Sequence, residues 1–183
     1  MNIRYSYSIF ITLFFFLSCQ NPFNPTIKLD INREQAKYYT PDEVLRTLIT
    51  AYNQKSIDLY KSILDKGFVF HVLIQNQPEL GVNYWGYNEE IEYHKNLFAN
   101  GSSDGKYQSP DYISLNLMIP PESDWKIDQT VGQENWVIIL CNFNLLLKYS
   151  NRSDITAHGS ARYFFKYDND RWYIAKWVDE SNI

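Results

Sequence analysis

The 183-residue chain is poor in the residues that staple, bend or catalyse: it has two cysteines, seven glycines, seven prolines and three histidines. Two cysteines exclude a framework of several disulfides, so any fold has to be held by an apolar core. The sequence also lacks G-x-S-x-G, G-x-x-x-x-G-K-[ST] and H-E-x-x-H, which removes the common signatures of serine hydrolysis, phosphate-loop nucleotide binding and zinc proteolysis. Lys and Arg number 17 against 21 Asp and Glu, for a net charge of −4, and the bases are scattered, which argues against nucleic acid as a partner. No apolar run reaches the roughly 20 residues of a membrane-spanning helix.

The most extended apolar run, Ile9 to Leu17, follows Arg4 and ends at Ser18–Cys19 in the stretch FITLFFFLSCQNPFNP. A short apolar segment behind a basic start reads as a secretory signal. "FLSC" resembles the lipobox of bacterial lipoproteins, although Phe16 and Leu17 stand where Leu and a small residue are commoner. That resemblance implies a signal peptide over 1–18, lipid on Cys19 and a protein anchored in the bacterial cell envelope, facing out of the cytoplasm. An ordinary secretory signal or an uncleaved anchor are the alternatives. Residues 19–39 contain prolines and polar residues without a period and read as a flexible tether. Cys141 then remains alone, inside the apolar stretch WVIILCNFNLLL, where a free cysteine behaves as a small buried hydrophobe.

Residues 40–183 read as one folded domain. Thr40, Pro41 and Glu43 make a capping box, and Val44, Leu45, Leu48, Ile49 and Tyr52 recur at helical spacing. A second helix starts at Ser56, presents Leu59, Tyr60, Ile63 and Leu64, and is expected to stop at Gly67. FVFHVLI reads as a strand, and a third helix is expected from a cap at Asn88 to Gly101. Period two then takes over at Ile113–Ile119, at Asn135–Tyr149 and through ITAHGSARYFFKY, and DND turns that strand into RWYIAKWVDE as an antiparallel hairpin. The class is α+β.

The helices ending in AYNQKSIDLYKSILDKGFVFHV and the strands closing with GSARYFFKYDNDRWYIAKWVDE resemble the NTF2-like superfamily, the SnoaL and ketosteroid isomerase-like proteins. The resemblance implies a cone, three N-terminal helices packed on a strongly curved antiparallel sheet, with an apolar pocket. Isomerase relatives carry a tyrosine and a carboxylate base where this chain has Leu48 and Val72, so that chemistry is not supported. No catalytic residue, metal or cofactor is assigned. The residues named for a ligand are Tyr52, His71, Trp85 and Trp177, with His71 the residue to act as a base if any does. Glu90 and His94, four apart, read as a surface pair rather than as metal ligands. His158 and Arg162 share a polar face that could hold an anion or meet a second copy of the chain. The reading favoured is a lipid-anchored envelope protein, leaning to a non-catalytic one, whose cone binds a small apolar or aromatic ligand or is simply filled by side chains. An enzyme of the dehydratase, cyclase or isomerase kind with a repositioned base, and a protein-interaction module, are the alternatives.

Overall fold

The computed structural model describes residues 40–72, 83–102, 105–130 and 132–180. Residues 1–39, over which the sequence reading places a signal peptide, Cys19 and a tether, lie outside the described residues, and among the described residues no helix is long and apolar enough to cross a membrane.

Helix α1, Pro41–Asn53, begins with the expected box: the Thr40 hydroxyl accepts from the Glu43 N–H while the Glu43 carboxylate accepts from the Thr40 N–H. Its apolar face is fully buried at Val44, Leu45, Leu48 and Ala51. Helix α2, Ile57–Ile63, is capped by Ser56 and passes directly into strand β1, Leu64–His71. The expected stop at Gly67 is therefore corrected, because Leu64 already has extended dihedrals. Gly67 lies where the β1 register shifts between Leu64 and Val69, and its N–H is taken by the Asp65 carboxylate at 2.8 Å.

Strand β2, Tyr84–Gly86, runs straight into helix α3, Tyr87–Lys95, so Gly86 and not Asn88 precedes the first helical residue. A π-helical turn, Asn96–Asn100, continues α3 and sets Phe98 in the core. It ends at Gly101, as expected. There φ is +78°, and a Cβ would lie 2.3 Å from the Tyr107 carbonyl oxygen, so only glycine fits.

Strands β3 (Tyr112–Met118), β4 (Lys126–Ile127), β5 (Val137–Lys148), β6 (Ile155–Asp168) and β7 (Arg171–Asp179) complete a seven-stranded sheet in the order β2-β1-β7-β6-β5-β3, with β4 also on β5. The β6–β7 hairpin turns at Asn169 and Asp170, both with positive φ, the backbone of a primed two-residue turn. Alternation holds: Val137, Ile139 and Cys141 are buried while Leu140, Asn142 and Asn144 are exposed. Burial pushes the Cys141 thiol up to about 12, which keeps it protonated.

One expectation about the architecture is corrected: the sheet is mixed and not wholly antiparallel, because β1 lies parallel to β7, while the third helix follows the first strand as the order of the segments predicts. Parallel neighbours need a long crossover, and all of the chain between β1 and β7 supplies it. The result is an α+β fold with a curved mixed sheet.

Candidate functional site

The helices and the inner sheet face leave a cavity of about 510 Å³ between them. Its floor comes from α1 and α3, which supply Tyr52, Glu90 and His94, together with Leu115 and Tyr163 from the sheet, and its walls are Phe70, Trp85, Phe143, Leu145 and Trp177. Exposed Tyr93 and Ala157 stand at its mouth, and Asp179 completes the lining. A wider, shallower groove of about 860 Å³ runs between the start of α1 and Ile119–Trp125. None of the described buried titratable groups lines it, so the smaller cavity is the better site candidate.

The floor is a closed hydrogen-bond network. Glu90, only 2% exposed, accepts from the Tyr60 hydroxyl on one carboxylate oxygen and from the Trp85 indole N–H on the other. His94 Nδ1 lies 3.0 Å from the Glu90 carbonyl oxygen, which can only accept, so Nδ1 carries the proton. Nε2 is then a lone pair, and the Tyr52 hydroxyl donates to it at 2.7 Å. The Tyr60 ring stacks on the imidazole at 3.8 Å between centroids. Burial, reinforced by the negative charge of Glu90, raises the hydroxyl pKa values of Tyr52 and Tyr60 and keeps both neutral.

Burial also lowers the His94 pKa from its ordinary 6.5, against the opposing pull of the Glu90 charge and carbonyl. The folded chain thus prefers the neutral ring, and on acidification the unfolded chain takes up the proton first. The stability this ring contributes is complete above about pH 6.5 and is lost as the pH falls from there through the depressed folded value. Urea midpoints measured from about pH 7.5 down to about pH 5 should therefore fall, and His94→Gln should flatten that slope. His71 is shifted in the same direction, by partial burial and Lys176, so His71→Gln is the control and should flatten it less.

Of the residues expected at a ligand, Tyr52, Trp85 and Trp177 all line this cavity, and the Tyr52 ring is buried with one hydrogen bond. His71 is not among the lining residues. Phe70 takes the inward position of β1, and alternation turns His71 to the opposite face, beside Tyr84 and within reach of the Lys176 charge. The surface reading of Glu90 and His94 is also corrected: both are buried, because Tyr60 and Trp85 close over them. Their spacing of four was visible in the sequence, but their partners were not. Among the described residues no group of three His, Cys, Asp or Glu could hold a metal ion. On the outer face His158 is exposed and Arg162 is engaged by Glu180 at 2.6 Å, which leaves less there for an anion.

No family model and no curated protein matches the chain. Solved structures do. A conserved protein from Planctomyces limnophilus superposes with a TM-score of 0.55 at 12% identity, over 75% of this chain and 90% of that one. The hexachlorocyclohexane dehydrochlorinase LinA-type3 from Novosphingobium barchaimii gives 0.52 at 9% identity, over 78% and 84%. A domain of unknown function with a cystatin-like fold from Nostoc punctiforme gives 0.50 at 12% identity, over 77% and 74%. At such identities the likeness concerns backbone architecture alone, and proteins of this architecture include both an enzyme and proteins without an assigned role. Helix content, strand order and these superpositions agree: the chain has a cystatin-like α+β fold.

Proposed function

We propose that this is a cell-envelope protein, held at the membrane by lipid on Cys19, whose domain is a non-catalytic receptor for a small, flat, largely apolar ligand. The observation that carries the binding reading is the saturation of the cavity floor. Both nitrogens of His94 and both oxygens of Glu90 already have partners inside the protein. A general acid or base has to reach the reacting proton, and these groups reach one another instead. A ligand meets chiefly the walls, which are aromatic and aliphatic.

Ala157 stands at the exposed mouth on β6, and a large side chain there would occupy the cavity without disturbing the floor. Ala157→Trp is expected to weaken binding of an aromatic probe such as 3-tert-butylphenol at least about tenfold, a loss of about 1.4 kcal/mol, with little change in the unfolding midpoint. Undiminished binding in equilibrium dialysis would place the ligand elsewhere.

The anchor has its own test. Cells grown with labelled palmitate should label the wild-type chain and not Cys19→Ala, and label that persists in the variant would remove the anchor from the proposal.

A dehydratase- or isomerase-type enzyme is the second reading. It is favoured by the neutral His94 paired with Tyr52 in the cavity lining. Turnover of any cyclic alcohol or halide that vanished in His94→Gln would support it over the receptor reading.

A further inference from the structure

The charges and rings of this cavity narrow the ligand further, and the narrowing rests on the receptor reading above. Five of the lining residues form one continuous aromatic surface, from Tyr93 at the mouth along the wall to Tyr163 at the floor. Tyr93 meets Trp85 edge to face at 5.2 Å, Trp85 stacks on Phe70 at 4.2 Å, Phe70 lies 5.5 Å from Trp177, and Trp177 lies 4.8 Å from Tyr163. The faces of such rings carry negative potential and attract cations.

Among the described residues, the charged ones that line the cavity are Glu90 and Asp179, both acidic, and no described Lys or Arg lines it. His94, kept neutral by burial, adds nothing positive. Described cations sit over other rings, Lys176 over Phe164 and Arg171 over Tyr173. An anionic ligand would enter a negative, partly desolvated site, which is unfavourable, whereas a cation would be favoured by both the carboxylates and the rings.

A second observation concerns Trp177. Its Nε1 is buried and makes no hydrogen bond among the described residues. A buried indole normally satisfies that donor. Such local departures from good hydrogen bonding concentrate at functional positions.

We infer that the ligand is an organic cation, an aromatic or cyclic body carrying a quaternary ammonium group that rests on the aromatic wall. A group without N–H donors suits this site better than a primary amine. The Glu90 oxygens already accept from Tyr60 and Trp85, so their charge reaches the ligand while much of their hydrogen-bonding capacity is taken.

The test is a matched pair of probes that share a shape and differ in charge: (3-hydroxyphenyl)trimethylammonium and 3-tert-butylphenol, titrated calorimetrically into the purified full-length protein. The cation is expected to bind at least about tenfold more tightly, equivalent to about 1.4 kcal/mol. Asp179→Asn should reduce that ratio at least about threefold, and Trp177→Leu should reduce it as well. A ratio near one, or a preference for the neutral phenol, would overturn the inference and leave the receptor reading standing. A ratio that neither substitution alters would also overturn it, since the preference would then arise away from the wall. Binding of neither probe would overturn both.

Discussion

Glu90→Ala is expected to destabilise the domain by about 3–5 kcal/mol, the scale of two buried donors losing their shared acceptor together with the cavity left behind. The truncation would leave the Tyr60 hydroxyl and the Trp85 indole N–H without their acceptor, in a region where Glu90 itself is 2% exposed. Each stranded donor costs about 1–3 kcal/mol. The lost methylene and carboxyl volume adds a void beneath the Tyr60–His94 stack. Glu90→Gln keeps the volume and one acceptor, so it should cost less than half as much. Were Glu90→Ala to unfold in urea within about 0.5 kcal/mol of the wild type, the scale of a surface substitution, the floor network would not be structural.

Leu48→Ala should cost about 2–5 kcal/mol, by lost burial plus the cavity left behind. Leu48 is fully buried on α1, as are Leu45 and Val44 beside it. Its position bears on chemistry as well as packing. Isomerase relatives, by the resemblance drawn from the sequence, place a tyrosine here and a carboxylate where Val72 stands, and Val72 is also buried at 6% exposure. Both positions therefore serve the core in this chain. Leu48 does not line the cavity, so the variant should still bind an aromatic probe while its denaturation midpoint falls. Loss of binding at temperatures where the variant is folded would mean that α1 packing and the cavity are coupled.

What the sequence disclosed was whatever local chemistry decides. Thr40, Pro41 and Glu43 fix the start of α1 through contacts within one turn, and Asn169 with Asp170 fix the last hairpin through backbone preference. The alternation of Ile113, Leu115 and Leu117 marks the buried side of β3. What it hid depends on residues far apart in the chain. Glu89, Glu90 and Glu92 look alike in sequence, yet Glu89 and Glu92 are exposed while Glu90 is buried, because Trp85 and Tyr60 face it and not the others. His71 sits one residue from the inward-facing Phe70, and only the register with β7, which pairs Phe70 with Trp177, decides which of the two enters the cavity. Gly67 carries the same local signal as a helix stop, but the shifted register of β1 uses it instead. Local signals thus place the elements, and the pairing of β1 with the last strand places the site.

The central claim is that a ligand enters between the aromatic wall and the Glu90 floor, and indole N–H resonances test it most directly. The chain has five tryptophans. Trp85 and Trp177 line the cavity, whereas Trp125 and Trp172 line the wider groove. During a titration with (3-hydroxyphenyl)trimethylammonium or 3-tert-butylphenol, followed by nitrogen–proton correlation spectra, the Trp85 and Trp177 signals should move together along one saturable curve while Trp125 and Trp172 stay in place. Movement of Trp125 and Trp172 first, or equal drift of all five signals, would contradict the account.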